Sequence, residues 1–391
     1  MDGECFRMPL RGAPILEEHS SGVPRVLHVV STMNIGGAET MLMNLYRALD
    51  RGRLQFDFLL FTEERGAYDD EIERLGGRLL RMPLPRHLGS RKSVLVMEQL
   101  IRDEGPFLAV HAHVLHASSL ALIAASRAQV TNRIAHSHNT SDVGNGVARR
   151  LYYAAARMAI RRYSTSLVAC GREAGEYLFG RRFDTIGVVV RNGVDIGAIQ
   201  SVPMIEGENV RRELSVAEDE ILLGCVARME RVKNHGFTIQ VLRACRDRGL
   251  PVRLALVGDG ALRLEIEQQV VQSGLTERVS FLGVRRDIPR LLNAFDALLL
   301  PSLYEGLPVT LIEAQAAGLP CLVSSHVSDE ADLGASLIER LSIEDPELWA
   351  DGVAKLARAC DRSAAMMIAA HSGYDVRDCV DEIFKLYGLV R

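Results

Sequence analysis

Two glutamates eight residues apart, Glu305 and Glu313, give the clearest chemical signal in this sequence. Glu305 follows a short apolar run that predicts a strand, and open α/β sheets bind ligands in the loops at the carboxyl ends of their strands. Glu313 falls in a predicted helix, 309–317, that is otherwise nearly all apolar, with no charged neighbour one turn away. Because a carboxylate in such surroundings needs a hydrogen-bond donor, the pattern indicates a ligand with hydroxyl groups.

Arg228 and Lys233 are the cations best placed to bind an anion. Both follow an apolar run, 221–226, that predicts a strand. Only 4 of the 46 basic residues are lysines, so a lysine in this loop is less easily explained as a generic surface charge. Lysine offers a compact point charge and arginine a planar fork, and together they predict a clamp for a diphosphate. The alternative, two solvated loop cations, stays open.

Gly36 and Gly37 lie between a predicted strand, 25–31, and an amphipathic helix that runs to Leu49. A glycine pair at such a turn lets the backbone approach a phosphate, and the amino end of a helix favours anions. The spacing is not G-x-G-x-x-G, which argues against a dinucleotide fingerprint and an NAD-dependent oxidoreductase. A simple turn without a ligand is the alternative.

Two predicted strands each end in a His-x-His sequence, His111 with His113 and His136 with His138. A single histidine at such a place is usually structural, but two pairs on the ligand-binding edge favour a functional role. The pairs also suggest a metal site. Apart from Asp142, no cysteine or carboxylate accompanies them at ligand spacing, so we expect no metal.

The elements that position these residues form two βα series, which predicts an α/β protein with two Rossmann-like domains. A length of 391 residues, 48% hydrophobic and 25% charged, suits two domains of a globular protein. We predict an extension over 1–24 that lacks the apolar segment of a signal peptide, a first domain over 25–195, a second over 196–374, and a final helical segment over 375–391.

Charge and cysteine usage indicate the surroundings in which the protein works. Residues 78–191 hold 17 Lys and Arg against 7 Asp and Glu, and include a basic amphipathic helix over 147–163. Such a helix can lie on an anionic membrane surface, or it can simply expose a solvated arginine face. The 7 cysteines are scattered without a C-x-x-C, which predicts free thiols in a reducing compartment. No apolar run is long enough to span a membrane.

The motifs together resemble glycosyltransferase family 4, a retaining family with the GT-B fold. The second half is similar to its donor-binding domain in Arg228 and Lys233, in Gly258-Asp-Gly260, in 279–283, and in the pattern S-x-x-E-G-x-P…E-A-x-A-x-G-x-P around both glutamates. The first half is similar to the acceptor domain. Its V-L-H-V-V-S-x-M-N-x-G-G-A-E-T and H-S-H-N-T-S sequences resemble the branch that builds bacterial exopolysaccharide and capsule repeat units.

The resemblance implies a role for each matching residue. Arg228 and Lys233 would hold the donor diphosphate, Glu313 the ribose hydroxyls and Glu305 the transferred sugar. His113 would lie near the reacting sugar, with His138 as the second candidate. The other positions expected to line the donor are Gly36, Gly37, Gly258, Gly283, Val284, Arg285, Gly306 and Leu307. The final helix would cross back onto the first domain.

The chemistry expected of this site needs no cofactor. The chain has no Asp-x-Asp, so two fixed cations rather than a divalent metal would stabilise the departing nucleotide. A front-face retaining reaction needs no enzyme nucleophile, so Glu305 is interpreted as positioning the sugar. We expect a nucleotide-sugar donor, with UDP preferred, and a saccharide or lipid-pyrophosphate-linked acceptor. We expect no nucleic-acid partner, and a cytoplasmic location that extends to the inner face of the plasma membrane.

Two other functions remain compatible with the same fold. A nucleotide-sugar-binding assembly subunit without turnover would not need all of the charged residues that are intact here. A sugar-nucleotide epimerase would need a base suited to the sugar ring, and the basic first half would then be unexplained.

Overall fold

The protein folds around two parallel β-sheets, one in each half of the chain. The computed structural model describes residues 22–139, 146–305, 307–356 and 362–389. The strands of the first sheet are β1 (Arg25–Val30), β2 (Gln55–Leu60), β3 (Leu79–Arg81), β4 (Ala109–Ala112), β5 (Asn132–Ser137), β6 (Ser166–Ala169) and β7 (Gly187–Val189). Their order is β3-β2-β1-β4-β5-β6-β7.

The second sheet has the same doubly wound character. Its strands are β8 (Ile221–Val226), β9 (Val252–Val257), β10 (Val279–Gly283), β11 (Ala297–Leu300), β12 (Cys321–Ser324) and β13 (Ile338–Leu341). Their order is β10-β9-β8-β11-β12-β13. The strand order therefore reverses between β1 and β4 in the first sheet and between β8 and β11 in the second, and ligands bind outside the carboxyl ends of strands at such switch points.

Helices cover both faces of each sheet. Those of the first half are α1 (Gly37–Ala48), α2 (Asp69–Arg74), α3 (Pro85–Leu88), α4 (Ser90–Glu104), α5 (Ser118–Arg127), α6 (Val147–Tyr163), α7 (Arg172–Phe179) and α8 (Phe183–Ile186). The rest are α9 (Ile196–Gln200), α10 (Met204–Glu213), α11 (His235–Asp247), α12 (Arg263–Gln272), α13 (Ile288–Ala294), α14 (Val309–Ala316), α15 (Pro346–Leu356), α16 (Arg362–Ala370) and α17 (Val376–Leu386). Short 3-10 turns occupy Leu115–Ala117, Arg231–Lys233, Thr276–Arg278 and Asp329–Ala331.

The strands are apolar runs because both of their faces are covered. Five of the six residues of β1 and of β2 are buried, as are all four of β11. Alternate side chains of a strand point to opposite faces, so one run feeds two apolar layers. Leu27 and Val29 join one core of the first domain while Val26 and Val30 join the other. This packing holds the carboxyl ends of the strands, and the loops that follow them, in fixed positions.

The last helix crosses back to the first sheet, as predicted. α17 buries Val376, Cys379, Ile383 and Phe384 in the same apolar core as strands of the first sheet. The chain crosses through a backbone pairing in which the Val194 N–H donates to the Tyr374 carbonyl. The two halves are therefore tied together at the end of the chain as well as at the segment that follows β7.

The elements that were not predicted from the sequence include β13, α16 and the short helices α3, α8 and α9. β13 is a four-residue edge strand with one partner, β12, and its side chains are only half-buried, so it lacks the continuous apolar pattern of a central strand. α16 is rich in alanine and methionine, and only Ala365 and Ala369 of its residues are buried. Its sequence therefore shows only a weak helical repeat of apolar residues.

Other expectations bear on the surroundings of the protein. Five cysteines are described, and all five are buried thiols outside any disulfide, as predicted: Cys170, Cys225, Cys245, Cys321 and Cys379. Among the described residues, no helix combines the length and the apolar character needed to cross a membrane. The extension predicted over 1–24 lies outside the described residues up to position 21, as do Asp142 and Gly306.

Candidate active site

The predicted site residues gather at the two switch points. Gly36 follows β1 and His113 follows β4, on either side of the reversal in the first sheet. Arg228 follows β8 and Glu305 follows β11, on either side of the reversal in the second sheet. Four separate stretches of sequence thus converge because parallel strands present their carboxyl ends at one edge.

One cavity joins the two halves of the chain at this place. It has a volume of about 420 Å³ and is lined by residues from both sheets. Six predicted site residues contribute to its wall: Gly36, Gly37, His113, His138, Arg228 and Leu307. A cavity of this size and of mixed origin suits a small-molecule ligand.

The glycine loop is open towards this cavity. Gly36 is the N-cap of α1, so the unpaired N–H groups of the first helical turn lie beside the cavity wall. A methyl group added at Gly37 would meet no described atom within 4 Å, so packing against the described residues does not require a glycine there. The missing side chain instead leaves room for a ligand to approach the backbone.

A second predicted pair, Lys233 and Glu305, lies outside the lining of this cavity. The Lys233 Nζ lies 2.7 Å from the Glu305 carboxylate, and the Ser302 hydroxyl donates to the same carboxylate at 2.5 Å. Both charged side chains are largely buried, at 21% and 11% exposed. In the ligand-free protein, Glu305 therefore neutralises Lys233, and an incoming anion would compete for that lysine.

Glu313 stands apart from this pair. It lies on α14, and no hydrogen bond or ion pair to its carboxylate is found among the described residues. Burial raises the pKa of this carboxyl to about 7. The sequence predicted a carboxylate without a helical partner, and the structure agrees. Such a group is costly to ionise until a donor reaches it.

The Arg228 guanidinium is half-exposed at the cavity and lies near two carboxylates. It forms an ion pair with Glu230 at 2.7 Å. It also lies close enough to Glu39 to favour ionisation of that carboxyl, although burial raises the pKa of Glu39 overall. Arg228 thus faces the glycine loop of the other half across the cavity, since Glu39 belongs to the first turn of α1.

The remaining predicted donor residues lie outside the lining of the 420 Å³ cavity. Gly258 has a φ of +129° and its backbone N–H donates to the Gly283 carbonyl at 2.7 Å, so backbone geometry alone explains a glycine at 258. Val284 is 56% exposed. The Arg285 guanidinium pairs with Asp287 at 2.7 Å and with Glu213 at 3.1 Å, which raises its pKa.

The two His-x-His pairs form one buried cluster together with a fifth imidazole, His28 of β1. His113 hydrogen-bonds to His28 at 3.0 Å and to His138 at 2.8 Å. His111 hydrogen-bonds to His136 at 3.2 Å. Burial lowers the pKa of His28 and of His138 to about 3 and holds the other three well below their usual value, so all five are neutral at pH 7.

This cluster also brings ring nitrogens within reach of a metal ion. Two groups of three, His28 with His111 and His113, and His113 with His136 and His138, place one nitrogen of each residue within 4.8 Å of the others. Neutral imidazole is the ligating form. The sequence argument against a metal relied on missing carboxylates and cysteines and did not foresee that five imidazoles would meet.

Among the cavity-lining residues that the sequence argument did not assign to the site are three with polar side chains: Glu39, Asn139 and Asn192. Asn192 is 4% exposed, and its side-chain oxygen has no partner in the part of the chain that the structure describes, so a ligand could donate to it. Its position just after β7 is the same signal that identified the other site residues. That signal is weak at this position, because an asparagine before a glycine is also typical of a simple turn.

Both halves of the chain match known protein families. Residues 36–193 match a glycosyl transferase 4-like domain, and residues 220–359 match the glycosyl transferases group 1. EpsF of Bacillus subtilis, a glycosyltransferase by name, is 39% identical over 376 residues that cover 95% of this chain and 98% of EpsF. The UDP-Gal:α-D-GlcNAc-diphosphoundecaprenol α-1,3-galactosyltransferase of Escherichia coli is 26% identical over 311 residues, 77% of this chain and 79% of that enzyme.

Solved structures agree on the fold. HepE of Anabaena, crystallised with UDP, superposes with a TM-score of 0.75 at 21% identity, over 92% of this chain and 98% of HepE. That likeness concerns the architecture of two Rossmann-like sheets facing one cleft. With both halves matched and 39% identity to EpsF over nearly its whole length, the chain belongs to the group 1 glycosyl transferases, which confirms the resemblance to glycosyltransferase family 4 and its GT-B fold.

Proposed function

We propose that this glycosyltransferase moves a sugar from a UDP-sugar to a lipid-diphosphate-linked saccharide, with retention of the anomeric configuration, during assembly of an exopolysaccharide or capsule repeat unit. The observation that carries the proposal is the cavity that joins Gly37 and His138 of one sheet with Arg228 of the other. The Escherichia coli relative, by its name, takes UDP-Gal and a diphosphoundecaprenol-linked GlcNAc, and HepE binds UDP.

The leaving diphosphate would be stabilised by protein cations. Arg228 supplies a planar fork at the cavity, and Lys233 supplies a point charge from the next turn of the same loop. The amino end of α1 adds N–H groups at the opposite wall. These groups act where negative charge develops as the bond to the sugar breaks, so we propose a reaction that needs no divalent metal.

Donor binding would redistribute the charges found in the ligand-free site. As the diphosphate approaches Lys233, the Glu305 carboxylate is released from its ion pair and becomes free to accept hydrogen bonds from the sugar hydroxyls. The ribose hydroxyls would donate to Glu313, which otherwise has no donor within the described chain. Each carboxylate thus gains a partner only in the complex, which couples binding to correct placement of the sugar.

Retention follows from a front-face displacement. The bond between the anomeric carbon and the diphosphate oxygen breaks, and the acceptor oxygen forms its bond on the same face of the sugar. The acceptor proton passes to the leaving phosphate oxygen, so the products are UDP and the glycoside. No enzyme nucleophile is needed, and Glu305 remains a positioning group for the transferred sugar.

A lipid-linked acceptor requires access to a membrane, and we propose that α6 provides it. Val147, Leu151 and Met158 lie on one face of this helix and are 76%, 68% and 71% exposed. Arginines flank that face. Two of them, Arg157 and Arg161, donate to carbonyls of α7 and hold the helix in place, so part of the predicted basic face is structural. The remaining arginines suit an anionic inner leaflet.

The test is a transfer assay on the purified protein with UDP-sugars and GDP-sugars and a polyprenyl-diphosphate GlcNAc acceptor. We expect transfer from one UDP-sugar, an α-linked product from an α-linked donor by proton NMR, and the same rate in excess EDTA. Inversion at the anomeric carbon, exclusive use of GDP-sugars, or loss of activity with EDTA that Mg²⁺ restores would each overturn the corresponding part of the proposal. UDP-sugar binding without any transfer would favour a binding subunit.

A further inference from the structure

The buried imidazoles of the first sheet form two separate hydrogen-bonded series. In the first, which we call the pocket series, His28 Nδ1 lies 3.0 Å from His113 Nε2, and His113 Nδ1 lies 2.8 Å from His138 Nε2. In the second, the tail series, the Tyr387 hydroxyl lies 2.8 Å from His111 Nδ1, and His111 Nε2 lies 3.2 Å from His136 Nδ1. Only the pocket series ends at the cavity, through His113 and His138.

A neutral imidazole has one N–H and one bare nitrogen, so the hydrogen bonds of a series must all point the same way. Only two arrangements of the pocket series exist. In the outward one, His28 donates to His113, His113 donates to His138, and His138 carries its hydrogen on Nδ1. In the inward one, every donor is reversed, and His28 carries its hydrogen on Nε2.

The two ends of the pocket series are not equivalent. His28 Nε2 and His138 Nδ1 are both buried, and neither has a hydrogen-bond partner among the described residues. His28 is fully buried beside Phe56 and Phe58, with ring centroids 4.2 and 5.6 Å away, so a hydrogen on its Nε2 would have no polar acceptor. His138 lines the cavity, where a ligand can accept. Because orphaned buried N–H groups are especially costly, the outward arrangement is favoured.

We propose that His28 fixes the direction of the pocket series, so that His138 presents its Nδ1–H to an oxygen of the transferred sugar. His28 is then a positioning residue, since it acts through His113 and touches no substrate. His113 has both ring nitrogens engaged, so the free donor of the pocket series is His138. The inference rests on the proposed sugar transfer for the identity of the acceptor oxygen, but the tautomers themselves do not depend on it.

The spacing of the nitrogens favours shared hydrogens over a metal ion. Zn–N bonds of about 2.0–2.1 Å in tetrahedral geometry place two ligand nitrogens roughly 3.3 Å apart. The paired nitrogens of the pocket series are closer, at 3.0 and 2.8 Å, which is the distance of an N–H···N hydrogen bond. A bound metal would have to separate them and would remove the donor on which the inference depends.

The tautomers can be read directly in the ligand-free protein. We expect long-range ¹H–¹⁵N correlation spectra of ¹⁵N-histidine-labelled protein, assigned with single histidine variants, to show His28, His113 and His138 all protonated on Nδ1. Protonation of His138 on Nε2, or zinc retained by the purified protein in one equivalent and lost in His113→Ala, would overturn the inference.

Two nearly isosteric variants test the role of His28 in activity. His28→Asn keeps a donor near the place of Nδ1, because the amide nitrogen occupies a similar position. His28→Asp, assayed at pH 8 to keep it ionised, offers only acceptors and should reverse the series, leaving a bare nitrogen on His138. We expect kcat/KM for the UDP-sugar to fall roughly ten- to a hundredfold in the Asp variant relative to the Asn variant, as for a donor lost against a buried oxygen. The affinity for UDP alone should stay the same in both.

Tyr387→Phe supplies the matched control. It removes a hydrogen-bonding atom from an equally buried histidine, His111, in the series that does not reach the cavity. We expect it to lower stability without changing the tautomer of His138 or the ratio of UDP-sugar turnover to UDP affinity. Equal activity of the Asp and Asn variants despite opposite tautomers of His138 would overturn the role given to His28. If no sugar is transferred at all, the proposed function fails, while the wild-type spectrum still decides the tautomers.

Discussion

The carboxyl edges of the two sheets form one candidate site but carry different kinds of groups. The first sheet offers neutral groups, four buried imidazoles with the partly buried His138, and the N–H groups of a glycine turn. The second offers charges: Arg228 pairs with Glu230, Lys233 pairs with Glu305, and Glu313 stands apart. The histidines hydrogen-bond to one another within each series, whereas Lys233 and Glu305 form an ion pair.

The difference follows from what each edge must do. A neutral cluster costs little to bury and can hold a fixed geometry. A charged edge can respond to the charge that develops on a leaving group, but it must be compensated while it is empty. We therefore expect changes at the second edge to affect the rate most strongly, and changes at the first edge to affect orientation.

The largest effect is expected for Lys233→Ala. Removing one cation from the place where the diphosphate charge develops should lower kcat by about 10²–10³, the range seen when one preorganised donor is lost. Steady-state kinetics with the UDP-sugar would measure it, and calorimetry would report weaker UDP binding. Lys355→Ala is the control, because the Lys355 side chain is 72% exposed and pairs with Glu339 at the surface. A rate within twofold of wild type for the Lys233 variant would remove it from the site.

Glu305→Gln should separate turnover from nucleotide binding. The amide can still accept from Ser302, but it no longer neutralises Lys233. We expect kcat to fall roughly ten- to a hundredfold as a charge-assisted contact to the sugar is lost. UDP, which lacks the sugar, should bind as tightly as before or more tightly because Lys233 is released. Parallel calorimetry of UDP and of the UDP-sugar would measure both, and weaker binding of UDP would contradict the assigned division between sugar and diphosphate.

Much of this second edge is predictable from sequence, because its residues are charged, few and next to strong strand signals. Lys233 and Glu313 stand out against an arginine-rich chain and an apolar helix. The meeting of Lys233 with Glu305 is not predictable, since 72 positions separate them and only the order of the strands brings β8 beside β11. The histidine cluster needed the same information, because His28 reaches His113 only through the pairing of β1 with β4.

Glu313 allows a pH test of the same edge. Its pKa in the folded protein is raised to about 7, above the model-peptide value of about 4.3. Below pH 4 the Glu313 carboxyl is protonated in both the folded and the unfolded chain, so it does not change the free energy of unfolding. As pH rises towards 7 the unfolded chain ionises first, so this group lowers the free energy of unfolding by an amount that levels off above pH 7. Glu313→Gln should therefore stabilise the ligand-free protein at pH 8 by about 1–3 kcal/mol relative to its effect at pH 4.

Urea unfolding at both pH values would measure the effect of Glu313→Gln, with Glu344→Gln, an exposed site, as the control. The variant should also bind UDP more weakly at pH 8, because the ribose hydroxyls meet an amide instead of a carboxylate. Its UDP affinity should vary less with pH than that of the wild type. Because the phosphate of UDP titrates in the same way with both proteins, comparing the two cancels that contribution. A destabilised variant at pH 8 would show that the carboxylate already has a partner in the ligand-free protein.

The smallest effect is expected on the outer surface of the first half. Arg150 of α6 is exposed beside Leu151, on the helix proposed to lie on the membrane. One arginine near an anionic surface contributes about 1 kcal/mol, so Arg150→Gln should weaken sedimentation with phosphatidylglycerol vesicles about fivefold at low salt. Arg243→Gln, an exposed arginine on α11 in the second half, is the control and should change nothing. Because the charge on α6 lies outside the site, turnover of a water-soluble acceptor should be the same in both variants. If the wild type fails to bind such vesicles at low salt, the membrane contact is wrong, while the contrast between the two edges of the site still stands.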